Sequence, residues 1–488
     1  MMTGMATPTP FVRDLQEALG RDAVIWALED LLVYEYDGTF DRGAPEAVAF
    51  PASTAEVAAA IQIANVYELP ITPRGAGTGL SGGALAVRGG LLLSLNRMRR
   101  ILDIDPNNRT ALVEPGVVNL DLSVAAEPYG LAYMPDPSSQ RACTIGGNVA
   151  ENAGGPHCLA YGATTNHVLG LELVTPDGTV QWLGGPNRER PGYDLVGCVV
   201  GSEGTVGVVT KIQVKLMPKP EAVRTLLAIF DSMRQASSAV SGVIKAGIVP
   251  AALEMIDQQT IAAVEPVLHT GFPLDAEAVL IIEVDGPVSQ VQAEDAIVQE
   301  IVQSFEPREI RVASELPDRE RLWAGRKGAI SCLGHIQPNY YILDGVVPRT
   351  KLPAVLDEVS HIAARYDVQV ANVFHAGDGN LHPCLLFDDR IPGMSERVLD
   401  AGGEIMRLCV DAGGAITGEH GVGLEKRSYL PWIFTDDDID AFARLKAAFA
   451  SGDTFNPCKV FPSGHGCGET SSAHAQKVIQ QFGADAYV

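Results

Sequence analysis

The spacing of apolar positions changes character near residue 220. Before that point, residues 53–66 begin with Ser53-x-x-Glu56, a capping-box pattern, and set Val57, Ala60, Ile61 and Ala64 on one helical face. Leu69-Pro70-Ile71-Thr72 then reads as a strand. From about 86 to 216 the apolar residues fall in short β-like runs at 90–95, 169–174 and 207–212, divided by Gly, Pro and Asn. Met217-Pro218-Lys219-Pro220 marks a boundary. Beyond it the units lengthen: strand 224–230 precedes helix 231–246, and strand 279–285 precedes helix 291–305, with Val291, Ile297, Ile301 and Phe305 at helical spacing. Helix 351–366 carries Leu352, Val355, Leu356, Val359, Ile362 and Tyr366 on one face, and helix 395–412 comes after it. Such alternation predicts an α+β arrangement in which helices cover an antiparallel sheet.

Between those last two helices lies the densest candidate chemistry. Residues 368–374 and 383–387 both read as strands, and His375-Ala-Gly-Asp-Gly-Asn-Leu-His382 connects them. Gly377, Asp378, Gly379 and Asn380 tolerate positive φ and close a tight turn, so a hairpin brings the two imidazoles together. Asp378 is assigned to the turn itself. Glu419 and His420 lie further on, in Gly418-Glu419-His420-Gly421. In extended backbone, neighbouring side chains point to opposite sides, so one is expected to bind a metal while the other faces elsewhere. His375, His382 and Glu419 are an N,N,O ligand set suited to zinc, with manganese or iron as alternatives.

Composition narrows the class. The 488 residues, 46% of them apolar, suffice for two to three domains with substantial cores. A net charge of −24 disfavours nucleic acid as a partner and requires local basic residues wherever an anion binds. The N-terminus has no basic segment preceding an apolar core, and no run of about 18 apolar residues occurs, which points to the cytoplasm. Eight cysteines without a Cys-x-x-Cys read as buried free thiols and not as an iron–sulfur site.

Pro73-Arg74-Gly75-Ala76-Gly77-Thr78-Gly79-Leu80-Ser81-Gly82-Gly83 contains a formal Gly-x-Gly-x-x-Gly, with Asp103 downstream. A Rossmann site needs a helix opening at the third glycine, whereas Gly83, Gly89 and Gly90 interrupt any helix there and a β-like run resumes at Leu91. The remaining reading is a nest of backbone N–H groups suited to a pyrophosphate. A second segment, Pro135 to Gly155, is almost entirely turn-forming and hydrogen-bonding, and Gly201-Ser202-Glu203-Gly204-Thr205-Val206-Gly207 is a third glycine-rich stretch.

Together these three segments resemble the FAD domain of the vanillyl-alcohol-oxidase and p-cresol-methylhydroxylase type. Leu322-Trp323-Ala324-Gly325-Arg326-Lys327, Tyr340 to Arg349, the His-x-Gly-Asp-Gly-Asn-x-His box and Gly-Glu-His-Gly narrow the resemblance to the D-2-hydroxyacid dehydrogenase branch of the FAD-linked oxidases. The flavin-carrying subunits of bacterial glycolate oxidases belong to that branch. The resemblance covers roughly residues 35–462.

It implies a two-part FAD domain over 1–220, a cap domain over 221–430 that carries the metal box, and a segment 431–462 returning to the FAD domain; residues 463–488, which lack clear periodicity, read as a peripheral tail. It implies non-covalent FAD, with Arg74, Gly75, Gly77, Thr78, Gly79, Leu80, Ser81 and Gly82 around the pyrophosphate. Pro135, Ser138, Thr144, Gly146, Gly147, Asn148, Gly204 and Asn456 would line the rest of the cofactor path. Two positions depart from the family: Cys458 replaces a usual Gly, and Ala160 stands where a Lys often precedes Tyr161-Gly162. His157 is read as a hydrogen-bonding loop residue and not as a flavin attachment point.

Oxidation of a 2-hydroxy acid then divides into roles. His420 is the general base, and Arg326 is the clamp for the substrate carboxylate. Lys327 is read as a solvated neighbour. Tyr340, Tyr341 and Asn339 are pocket candidates, with core packing an equal reading for the tyrosines. The expected function is the catalytic subunit of a glycolate oxidase-type complex acting on glycolate or D-lactate. An iron–sulfur subunit and a second flavin-domain subunit are the expected partners, passing electrons to membrane quinone at the inner face of the membrane. The alternatives are a stand-alone D-lactate or D-2-hydroxyglutarate dehydrogenase and, in other classes, a non-catalytic flavin-binding assembly subunit or a metal hydrolase or isomerase without flavin.

Overall fold

A computed structural model describes residues 7–187, 192–449 and 452–462. The expected tail 463–488 lies outside the described residues. The N-terminal half holds two small sheets. In the first, Val24–Ile25, Ala47–Ala49, Leu91–Ser94 and Ile71–Arg74 lie side by side, parallel except for the first pair. In the second, the antiparallel order is Ile101–Asp105, Thr110–Val113, Val208–Lys215, Val168–Val174, Val180–Gly184. The helix Thr54–Val66 buries Val57, Ala60, Ile61 and Ala64, as its periodicity predicts. Ser53 caps it by accepting from Glu56 N, while the Glu56 carboxylate reaches one residue beyond the box pattern to accept from Ala52 N at 2.8 Å.

The C-terminal half is built on one antiparallel eight-stranded sheet. Its order is Glu309–Ala313, Ala222–Phe230, Ala278–Gly286, Ala252–Asp257, Gln369–His375, Asn380–Phe387, Asn339–Ile342, with Gly345–Val346 also pairing to Asn380–Phe387. Period-two alternation gives it two buried faces. Leu226, Ala228 and Phe230 join one core with Phe374, Leu381 and Leu385, under helices Met233–Lys245, Val288–Gln303, Leu352–Arg365 and Met394–Asp411. Leu227 and Ile229 join the opposite core with Ala371, Val373 and Leu386, under helices Gln258–Leu268 and Leu316–Cys332. One detail departs from the sequence reading. In Val288–Gln303 the buried residues are Val291, Val298 and Val302, and Ile297 is exposed.

The last described segment returns to the first sheet. Phe455 bridges Ile71, Asn456 donates through Nδ2 to Gly83 O (2.9 Å) and Glu203 O (2.7 Å), and buried Lys459 donates to Leu85 O (2.7 Å). Asn456, Cys458 and Val460 all have positive φ. The Gly-to-Cys departure at 458 therefore falls on backbone that favours glycine. Six of the described cysteines are free, but Cys458 is disulfide-bonded, which corrects the expectation of free thiols at that position. No helix among the described residues is long and apolar enough to cross a membrane.

Candidate active site

The hairpin register pairs Val373 with His382 and His375 with Asn380, and closes through residues 376–379. His375 shares its parity with Ala371 and Val373, and His382 with Cys384 and Leu386, so both imidazoles leave the sheet on the side covered by the helix Leu316–Cys332. Their ring centroids are 5.2 Å apart. Glu419 Oε1 lies 3.0 Å from His375 Nε2 and 3.6 Å from His382 Nε2. Against the extended-backbone expectation, residues 418–420 form a bend, and Glu419 and His420 face the same cavity. The His420 ring stacks on His382 with centroids 4.9 Å apart and planes 8° from parallel.

That bend is shaped by Asp344, a fully buried carboxylate the sequence reading did not single out. Asp344 Oδ2 accepts from Thr417 Oγ1 (2.6 Å), Gly418 N (3.0 Å), His420 N (2.9 Å) and Lys426 Nζ (3.3 Å). A lone Asp after Tyr341-Ile342-Leu343 was the available signal. Glu254 was missed as well. It is a single charge in Ala252-Leu253-Glu254-Met255-Ile256, and its strand is buried throughout. Its carboxylate accepts from His375 Nδ1 at 2.9 Å and pairs with Arg326 Nη2 at 2.5 Å.

Electrostatics follow from this crowding. Burial alone would lower His375, but Glu254 and Glu419 outweigh it and lift the imidazole to about 10. Burial would raise Glu419, yet His375, His382 and His420 bring it to about 2. The two shifts describe one buried ion pair, His375 Nε2 against Glu419 Oε1 at 3.0 Å. His420 is pushed down to about 4, first by burial and then by His382 and Lys426, against the pull of Asp344. Its Nδ1 is buried without a hydrogen-bond partner, as is His382 Nε2. The donor set fits a divalent ion, because one ligand atom each from His375, His382 and Glu419 lies within 4.8 Å of the others. Asp344, His382 and His420 meet the same spacing; there Asp344 Oδ2 accepts five hydrogen bonds, and Oδ1 lies 3.4 Å from His382 Nε2.

These groups open into a cavity of about 400 Å³ whose other walls are the glycine segments. Gly75, Gly77, Thr78, Gly79 and Leu80 line it from the first loop, Ser138, Thr144, Gly146, Gly147 and Asn148 from the second, and Gly204 from the third. The fit to a large planar cofactor is visible in the glycines. A Cβ on Gly75 would meet Thr144 Oγ1 at 2.6 Å, and one on Gly146 would meet Pro115 Cβ at 2.5 Å, so backbone alone can form these walls. A Cβ on Gly79 would meet nothing within 4 Å, because that position faces the open cavity. Gly154 touches the other half of the site, since a Cβ there would lie 2.5 Å from Glu419 Oε2.

Several expected contacts stand elsewhere. Ser81, Gly82, Pro135 and Asn456 are behind the wall: Ser81 O accepts from Leu424 N, Gly82 abuts Leu424, Pro135 O accepts from Asn119 Nδ2, and Asn456 ties Gly83 to Glu203. Arg74 lines the cavity but folds its guanidinium beneath Gly77, donating to Tyr36 O (2.9 Å) and Ala84 O (3.4 Å). Arg326 also lines the cavity, with its charge already balanced by Glu254 and its buried Nε without a partner. Lys327 is not a solvated neighbour, since it pairs with Asp136 at 2.9 Å. His157 bonds Asp136 and Glu283 at 2.9 and 3.2 Å, as a loop residue should. Tyr340 lines the cavity. Tyr341 is buried in the opposite core, and Asn339 Oδ1 accepts from Asp389 N at the sheet edge. Asp378 sits in the turn, its carboxyl raised to about 6 by burial.

Sequence comparison matches residues 45–184 to an FAD binding domain and residues 219–460 to the FAD linked oxidases, C-terminal domain. The glycolate oxidase subunit GlcD of Escherichia coli K12 is 46% identical over 91% of this chain and 90% of its own length. A D-lactate dehydrogenase of Anaerostipes hadrus is 33% identical over 86% and 90%. Among solved structures, p-cresol methylhydroxylase aligns with a TM-score of 0.78 over 92% of this chain and 96% of that one, at 17% identity, a likeness of fold.

Proposed function

The chain belongs to the FAD-linked oxidase family that includes the glycolate oxidase subunit GlcD, and from that premise we propose that it oxidises a small 2-hydroxy acid, glycolate or D-lactate, to the 2-oxo acid. The observation that carries the reading is the His420 imidazole, its buried Nδ1 without a hydrogen-bond partner, stacked beside a two-histidine, one-carboxylate ligand set in a cavity that the glycine segments share. When bound, FAD supplies the acceptor for two electrons, and a divalent ion, zinc in the first instance, held by His375, His382 and Glu419 supplies Lewis acidity toward the hydroxyl oxygen.

The chain's own groups do the remaining work. His420 takes the hydroxyl proton; burial, His382 and Lys426 lower its proton affinity and keep it unprotonated at neutral pH. Asp344 holds the 417–420 bend and so fixes the position of that imidazole. Arg326, which lines the cavity, offers its guanidinium to the substrate carboxylate, and Ile330, Ile342 and Tyr340 close the cavity around the small remainder. The second nearby cation, Lys327, is tied to Asp136, which favours a monocarboxylate over 2-hydroxyglutarate. The flavin path runs along the glycine walls, with Ser81, Gly82, Pro135 and Asn456 supporting it from behind.

In this reading residues 1–220 form the flavin half and 221–430 the cap, while 431–462 return to the flavin half. Electrons leave through partners, an iron–sulfur subunit and a second flavin-domain subunit, toward membrane quinone, with this chain at most peripheral to the membrane. The test is anaerobic stopped-flow of the purified protein against a panel of 2-hydroxy acids. Glycolate or D-lactate is expected to bleach the flavin absorbance fastest. A yellow protein that none of the panel bleaches would end the reading.

A further inference from the structure

Among the described residues, Glu254 is the carboxylate that touches both an expected metal ligand and the expected substrate clamp. It lies on the strand Ala252–Asp257, whose register with the histidine strand pairs Met255 with Phe374 and Ile256 with Val373. One step along, Glu254 stands opposite His375 on the same face of the sheet. The helix Leu316–Cys332 lowers Arg326 onto that face. Glu254 is 1% exposed and Arg326 2%.

The bonding pattern limits what each atom can do. His375 Nδ1 is 2.9 and 3.0 Å from the two Glu254 oxygens and 3.3 Å from Arg326 Nη2. Guanidinium nitrogen only donates, and the carboxylate only accepts. Nδ1 cannot both donate to Glu254 and accept from Arg326, and the shorter contact to a charged acceptor decides for donation. That keeps a proton on Nδ1, so that Nε2, which contacts Glu419 Oε1 at 3.0 Å, is the nitrogen that would give up its proton to a metal held with Glu419 and His382. The same carboxylate holds Arg326 Nη2 and so fixes the guanidinium of a residue that lines the cavity, with its buried Nε left without a partner.

We propose that Glu254 is a positioning residue that fixes the metal-binding tautomer of His375 and the orientation of Arg326 at once. The inference rests on the reading of His375, His382 and Glu419 as metal ligands. Carboxylates that orient a ligating histidine typically account for about 10–100-fold in metal affinity.

The experiment is zinc binding to the flavin-loaded protein and to Glu254→Gln, measured by titration in chelator-buffered zinc, with bound metal counted by mass spectrometry. The flavin spectrum and thermal melting report that the fold is intact. The variant is expected to bind zinc about 10–100-fold more weakly with flavin retained. Glu254→Asp, which keeps the charge on a shorter side chain, is expected to fall between parent and Gln, and it carries the test alone if the Gln variant does not fold. In a double variant with His375→Ala, the Glu254→Gln effect should vanish, because its target is gone. A parent that binds zinc and variants that match it within twofold overturn the positioning role alone. A parent that binds neither zinc nor manganese overturns the ligand assignment and this inference together.

Discussion

The two halves of the cavity are made of different material. On the flavin side the walls are rich in glycine backbone, with Gly75 and Gly146 packed so closely that a side chain there is excluded, and the cations nearby are spent on carbonyls, as Arg74 is on Tyr36 O and Ala84 O. On the cap side the walls are side chains, and nearly every buried charge there has a named counter-charge: Glu254 with Arg326, Glu419 with His375, Asp344 with Lys426. A backbone wall recognises shape and tolerates no added volume. A side-chain wall does chemistry and tolerates no lost charge. The two should therefore fail separately.

The sharpest way to break this comparison is His420→Ala. It should keep the flavin and its spectrum while slowing anaerobic bleaching by about 10²–10⁴-fold, the usual worth of a general base. Loss of flavin together with rate would show that the halves are not independent. The reciprocal change is Gly146→Val, which forces a Cβ to 2.5 Å from Pro115 Cβ. Overpacking of this kind costs ~1–3 kcal/mol, so flavin affinity should fall about 10–100-fold while the zinc titration stays at the parent value. A weakened metal site in that variant would contradict the division. The smallest effect concerns pH. A base at the ordinary imidazole value of about 6.5 would lose about fourfold in rate between pH 8 and pH 6. His420 is held down to about 4, so it stays deprotonated as pH falls through 6 and is lost only near 4. Bleaching rates at pH 8 and 6 should agree within twofold, and a fourfold drop would mean that another group is the base.

The same difference explains which features the sequence disclosed. The histidine hairpin was legible because its ligands, turn and strands are contiguous, and alternation alone puts His375 and His382 on one face. Four strands of the large sheet and the helices Met233–Lys245, Val288–Gln303, Leu352–Arg365 and Met394–Asp411 on one of its faces were legible for the same local reason, whereas Ala252–Asp257, Glu309–Ala313 and the helices of the other face were not. Glu254 lies 121 residues from His375 and Asp344 76 from His420, so neither pairing exists at the level of spacing. Both left a trace, a lone acid within an apolar strand or at its end, which marks a buried charge without naming its partner. The Arg326 helix escaped notice because a charged residue on its buried face spoils the apolar period, and Ile297 was misplaced by one position of phase. In the glycine loops composition announced a cradle, but which residues face inward depends on how loops 74–83 and 135–155 stack on each other.

The bond from Asn456 to Gly83 spans 373 residues. At about 5–20 residues per second, the ribosome takes roughly 20–75 s to pass from one to the other. A nascent chain thus exposes its first glycine loop long before the segment that braces it has been made.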